Sequence, residues 1–358
     1  MKEKLKKIYD AMEEEVDLVY IINSSGNEMN FFYLSGAESG LFEGCAALAY
    51  PDSLELIVSK LEEESAKKTE KDAIQIFKRR KERDEILKKK LDVDTIGING
   101  KSITYDAYKK LKKLTDAEIV DISEALSKSR MVKTKDEIKR IKRACDIASE
   151  SAEEIKAHIK EGVIESELSA ELTYIMQKKG ATEPAFTNIC SFGENTAEPH
   201  YTAGKRALNK GDYVLLDFGA RYKRYVSDTT RTFVFGGAEE KKKEIYQIVQ
   251  KAQKLGFDKI KPGVKGKDVH NAVKEYIDST KYKGKFIHGL GHAIGLEVHD
   301  GMGFSENSEV VLEENMVITV EPGIYLPGYG GVRIEDDIRV TKDGVEILTS
   351  APREFTEL

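Results

Sequence analysis

Cysteine is scarce in this 358-residue chain: Cys45, Cys145 and Cys190 are odd in number and far apart. That argues against a disulfide framework and fits a reducing compartment. An excess of one charge is also missing. Lys and Arg number 57 against 63 Asp and Glu, a formal net charge of −6, which gives no electrostatic reason to expect nucleic acid or anionic lipid as a partner. No apolar run approaches the roughly 20 residues that span a bilayer. The opening stretch, MKEKLKKIYDAMEEEVD, is charged throughout, where a secretory signal needs an apolar core. Internal repeats and low-complexity linkers are absent. The expectation is a cytoplasmic protein with neither a nucleic-acid nor a membrane partner.

What is present is enough apolar material to bury a core, 40% of residues, beside 34% charged ones. The length suggests two domains. VDLVYIINS (16–24), NFFYLSG (30–36), CAALAYP (45–51) and the following SLELIVS read as strands. The charge-dense stretch from Lys60 to Leu91 reads as solvated helix faces. TIGINGKS (95–102) has Thr95 where a phosphate loop needs glycine, so that reading fails. These elements alternate as in a small α/β domain ending near residue 125. Thr134 and Glu137 then form a capping box. Ile138, Ile141, Cys145, Ala148, Ala152 and Ile155 follow at helical spacing, with a stop at Gly162. Further helices are expected over 166–179, closing at Gly180, and near 239–255 and 267–279. His158 and His270 lie alone in such helices, the first as a surface or packing residue and the second solvated. Asn23-Ser24-Ser25 matches a glycosylation acceptor, which means nothing in a cytoplasmic protein.

The remainder differs. YVLLDFGARY (213–222), RYVSDTTRTFVF (224–235), MVITVEPGIYL (316–326) and GVRIEDDIRVT (332–342) are β-rich, and each carries carboxylates among apolar residues. Asp and Glu are poor strand residues, and burying one unpaired is costly. A hairpin turning at Tyr222-Lys223 would set Asp217 opposite Asp228. One turning about Gly328 would set Glu321 opposite Glu335. Cross-strand Cβ atoms stand roughly 4.5–5.5 Å apart, so bare carboxylates there would repel unless a cation sat between them. HGLGHAIGLEVHD (288–300) adds three of the six histidines. Oxygen-rich donors with one imidazole suit two divalent ions about 3.5–4 Å apart better than one tetrahedral structural zinc.

LLDFGA, SDTTRT, HGLGHAIGLEVH, EPGIY and GGVRIED occur in that order. Together they resemble the pita-bread-fold metallopeptidases, most closely the prolidase and aminopeptidase P branch. SRMVKTKDEIKRIKRACDIA resembles that family's entry helix, and YIINSSGNEMNFFYLSG the start of its creatinase-type N-terminal domain, so the likeness covers nearly the whole chain. It implies an α+β protein: a small α/β creatinase-type domain over 1–125, then a pita-bread catalytic domain over 126–358 with a curved, mainly antiparallel sheet covered by helices.

The resemblance also implies roles. Asp217, Asp228, His292, Glu321 and Glu335 match the metal ligands, with Asp228 and Glu335 bridging two divalent ions whose identity, manganese, cobalt, zinc or iron, stays open. Glu321 matches the proton shuttle. His299 matches the histidine on the scissile carbonyl, and His200 the one near the proline end of the substrate. Phe186 and Val298 match apolar neighbours of the proline pocket, and Arg333 an arginine bracing the metal site. His288 reads as structural, because His292 already satisfies the pattern. The implied activity is hydrolysis of Xaa-Pro bonds in small peptides with proline second, by a homodimer, most simply as a dipeptidase. Proline calls for a dedicated enzyme because it lacks the N–H that strand-reading peptidases use. The alternatives are an aminopeptidase P acting on longer peptides, a non-catalytic pita-bread binding module, and a creatinase-like hydrolase working without metal.

Overall fold

Leu18–Asn23 is an almost wholly buried strand, β1, and the N-terminal unit is built around it. Beside it run β2 (Cys45–Ala49), β3 (Leu54–Ser59), β4 (Ala73–Phe77), β5 (Thr95–Ile98) and β6 (Glu118–Asp121). Among the described residues they form one six-stranded sheet in the order β4-β3-β2-β1-β5-β6. The pairs β1–β2 and β2–β3 are antiparallel, and the outer pairs are parallel. Helices α1 (Lys2–Asp10), α2 (Met29–Ser35), α3 (Glu63–Lys67), α4 (Arg80–Lys90), α5 (Tyr105–Leu114) and α6 (Ser123–Met131) complete the unit's elements. Leu87 and Leu91 of the α4 end and Leu111 of α5 join Leu18, Leu48, Ile57 and Ile96 in one core.

In this computed structural model residues 1–24 and 26–358 are described, and the chain divides into Met1–Arg130 and Met131–Leu358. Residue 125 lies inside α6. Ser25, the last residue of the Asn-Ser-Ser triplet, lies outside the described residues.

Two expectations for this unit are corrected. The stretch 30–36 is not a strand but most of helix α2. The Glu28 side chain accepts the Asn30 N–H at 3.1 Å, and Gly36 closes the last turn at φ 62°. Phe31, Phe32, Tyr33 and Leu34 are all buried, and an unbroken apolar run has no period to tell helix from strand. The charged stretch Lys60–Leu91 holds more than helix faces. Ala73–Phe77 is the edge strand β4, exposed enough to tolerate polar neighbours.

The second unit starts at α7 (Lys135–Glu154), whose Thr134–Glu137 capping box is formed in both directions. After α8 (Glu165–Lys178) come β7 (Glu183–Pro184), β8 (Ile189–Phe192), β9 (Tyr213–Phe218), β10 (Ala220–Tyr222), β11 (Tyr225–Val226) and β12 (Thr229–Val234). Then follow α9 (Glu240–Lys259), α10 (Gly266–Asp278), β13 (Gly291–His292), β14 (Gly303–Phe304), β15 (Val317–Val320), β16 (Gly323–Leu326), β17 (Gly330–Arg333), β18 (Asp336–Val340) and β19 (Val345–Ile347). Ile147, Leu168 and Leu172 of α7 and α8 pack on Phe192, Leu216 and Phe218. Val249 and Val273 of α9 and α10 pack on Ile318, Val320 and Ile338. Helices thus cover two antiparallel sheet regions.

The first hairpin departs from expectation by one residue at its turn. Lys223 and Arg224, at φ 47° and 72°, form the two-residue loop, the left-handed geometry that matches strand twist. Asp217 therefore pairs with Thr230, not with Asp228. Moving the turn by one residue shifts the partner by two, so Asp217 and Asp228 keep a common face as diagonal neighbours. Between β10–β11 and β9–β12 the ladder is interrupted at Gly219, where an added Cβ would lie 1.8 Å from Ser227 O. Only glycine allows that approach.

His270 is buried rather than solvated, 5% exposed, with its ring 5.5 Å from that of Phe286. His158 is on the surface, 3.7 Å from Glu171.

Gly219→Ala should lower unfolding stability by about 1–3 kcal/mol. Gly344→Ala, with nothing within 4 Å of the added carbon, should stay within about 0.5 kcal/mol of the parent. Urea midpoints at constant m-value measure both.

Candidate metal centre and substrate cavity

The second hairpin keeps one register across a gap. Val320 pairs with Asp336 on one side and Gly323 with Arg333 on the other. Glu321 and Glu335 stand opposite each other in that gap. Asp228 occupies the corresponding interruption between β11 and β12. His292 ends β13, which lies so close to β15 that a Cβ at Gly291 would meet Thr319 O at 2.0 Å.

All five side chains line one cavity of about 410 Å³. Asp228, His292 and Glu335 each offer a ligand atom, all within 4.8 Å of one another. His292 Nε2 is 3.6 Å from Asp228 Oδ2 and 3.6 Å from Glu321 Oε1. Arg333 Nη2 donates to Asp217 Oδ2 at 2.6 Å, Arg333 Nε to Thr230 Oγ1, and Thr230 Oγ1 in turn to Glu335 Oε2 at 2.7 Å. Behind this layer the buried Arg231 uses its donors on backbone: Thr230 O, Glu335 O, Ala351 O and Pro352 O, plus Asp336 Oδ1 at 2.6 Å.

The electrostatics favour a cation. Burial first, then the charges of Glu335 and Asp217, push the Asp228 carboxyl well above its usual range. Burial and the charge of Glu321 do the same to Glu335. Burial raises Glu321 to about 8, against the opposing charge of Arg333. His292 is lowered to about 4 by burial and by His299, so it is a neutral imidazole at neutral pH. Among the described residues, Asp217 Oδ1 and Asp228 Oδ1 are buried and accept no hydrogen bond. A buried oxygen without a donor is costly unless something positive meets it. Carboxylate oxygens with one imidazole suit divalent metal, so the residues present fit such an ion.

The other expected residues share the cavity. Phe186, Val298, His200, His299 and Arg333 line it, the two histidines as exposed side chains. The His292 and His299 rings lie 4.1 Å apart. Sequence reading missed other parts of the wall. Ile189, Pro199 and His288 also face the cavity. His288, read as structural, has its Nε2 2.8 Å from Tyr325 Oη, which also accepts from Arg333 Nη1 at 2.9 Å. Its place at the head of the histidine-rich stretch was the available signal. Tyr325 and Thr230 carried none beyond their position two or four residues from a carboxylate.

Residues 139–342 match the model of metallopeptidase family M24, and residues 4–132 that of the creatinase/prolidase N-terminal domain. The chain belongs to metallopeptidase family M24. Members of this family are metal-dependent peptidases, and the cluster around Asp228 is where such an ion fits. The chain is 39% identical to an Xaa-Pro dipeptidase of Pyrococcus furiosus over 99% of this chain and 100% of that one. Its fold superposes on an Xaa-Pro dipeptidase from Bacillus anthracis with a TM-score of 0.92, at 38% identity and 99% of each chain. It also superposes on an X-Pro aminopeptidase from Thermotoga maritima with a TM-score of 0.90, at 33% identity over 96% of this chain and 98% of that one. The family fold therefore serves both named activities.

The raised carboxyl of Glu321 gives a signed pH effect. Its folded value of about 8 exceeds the ordinary 4.5, so the folded chain holds the extra proton between those values. The stability this contributes is lost as pH rises through that window. A divalent ion bound at this cluster would take the place of that proton. In chelated protein, added Mn²⁺ should therefore raise Tm more at pH 8 than at pH 5, by calorimetry, and Asp228→Asn should reduce the gain.

Proposed function

We propose that this M24 enzyme hydrolyses the Xaa-Pro bond of dipeptides, and that Asp217, Asp228, His292, Glu321 and Glu335 would hold two divalent ions. The observation that carries the reading is the meeting of Asp228, His292 and Glu335 in one cavity with His200 and His299. The ions, when bound, supply Lewis acidity and lower the pKa of water towards 7.

The chain's own residues do the rest. Glu321, at the cavity wall, takes a proton from the attacking water and delivers it to the proline nitrogen. His299 donates a hydrogen bond to the scissile carbonyl oxygen as negative charge grows there. His200 meets the proline end of the substrate, while Phe186 and Val298 offer apolar contact to the ring. Arg333, through Asp217 and through Thr230 to Glu335, keeps two ligands aimed inward.

Aminopeptidase action on longer Xaa-Pro peptides is the second reading, supported by the Thermotoga maritima likeness. The 39% identity to a dipeptidase along the full chain favours the first. A cytoplasmic homodimer completes the proposal, consistent with three buried free cysteines and testable by sedimentation.

With Mn²⁺, Co²⁺, Zn²⁺ or Fe²⁺ restored after chelation, the protein should cleave Ala-Pro and leave Ala-Pro-Ala intact. Efficient cleavage of the tripeptide shifts the reading to an aminopeptidase, and cleavage of neither ends it. His299→Ala should lower kcat by roughly 10²- to 10³-fold with bound metal unchanged.

A further inference from the structure

Glu165, the first residue of α8, is wholly buried. Among the described residues its partners are hydrogen-bond donors rather than a cation. Oε1 accepts the Phe192 N–H at 2.9 Å and Asn195 Nδ2 at 2.9 Å. Oε2 accepts the Tyr201 hydroxyl at 2.8 Å and the Gly204 N–H at 3.1 Å. Asn195 also donates to Tyr201 Oη, and the Ser166 N–H to Gly204 O. One carboxylate thus joins the end of β8, the turn after it and the irregular segment 198–204.

That segment carries Pro199 and His200 into the cavity. Among the described residues none hydrogen-bonds the His200 ring, so its place is set by the backbone that bears it. Asn195 and Tyr201 bracket Pro199 and His200 in sequence, and both end on Glu165. A carboxylate is an acceptor at both oxygens. Four donors converging on it use that property fully, and an amide there would face an N–H that it cannot accept.

We propose that Glu165 is a positioning residue: by gathering Phe192, Asn195, Tyr201 and Gly204 it fixes where His200 stands in the substrate cavity. The inference rests on the reading in which His200 meets the substrate. Glu165 itself touches neither substrate nor metal, so its loss should act through the segment that bears His200.

The test uses the full-length, Mn²⁺-loaded protein and the variants Glu165→Gln, Tyr201→Phe, His200→Ala and the Glu165→Gln/His200→Ala pair. Glu165→Gln should lower kcat/KM on Ala-Pro by about 10- to 100-fold, with bound Mn²⁺ per chain unchanged. In the His200→Ala background it should cost less than about twofold more, because both act through one ring. Tyr201→Phe, which keeps three donors, should show a smaller loss of the same kind and guards against a fold defect in Glu165→Gln. Trypsin should cut after the exposed Lys205 faster in Glu165→Gln than in the parent. Activity within twofold of the parent, losses that multiply fully with His200→Ala, or an unchanged cut at Lys205 would overturn the proposal. A parent protein inactive on Ala-Pro would sink the Xaa-Pro reading instead, and the cut at Lys205 would then decide on Glu165 by itself.

Discussion

Mutual repulsion among four carboxylates in one cavity is the constraint on which the C-terminal unit depends. Arg333 offsets part of it through Asp217. The rest is met either by protons, which burial favours on Asp228 and Glu335, or by a divalent ion. Such a cluster is costly to a fold that has no use for it. The scaffold answers with rigidity: buried threonines and arginines fasten each acidic strand to its neighbour. The ligand atoms are therefore held together before any ion arrives.

Strand geometry explains how acids can sit in sheets at all. Asp228, Glu321 and Glu335 each fall at an interruption of a ladder, between β11 and β12, β15 and β16, and β17 and β18. At those points the backbone is free to curve, and the side chains of both hairpins turn towards a common space. The apolar faces on the far side remain sealed by α7 with α8 and by α9 with α10.

Much of this was legible in the sequence, for physical reasons that differ by element. The hairpin about Gly328 could be read because glycines mark its turn and the acids are symmetric about it. The first hairpin was misjudged by one position because its loop is Lys223-Arg224, and neither residue advertises a left-handed backbone. The helix over 29–35 was hidden by a run of buried aromatics without period. His270 was read as solvated because it stands alone among the histidines in its helix, yet it turns inward beside the buried Val269 and against Phe286. His288 and Tyr325 were missed as cavity partners because their meeting depends on tertiary contact alone. The prolidase-type motifs carried the activity class, whereas the ties from Glu165 to Asn195, Tyr201 and Gly204 required coordinates.

The guanidinium of Arg231 reaches forward to Ala351 O and Pro352 O, 120 and 121 residues later in the chain. During translation those acceptors leave the ribosome well after the strand that needs them. Until they arrive, a charged group meant for the interior lacks two of its acceptors. Donors buried without acceptors are costly, so the last eight residues bear on the stability of a strand laid down more than a hundred positions earlier.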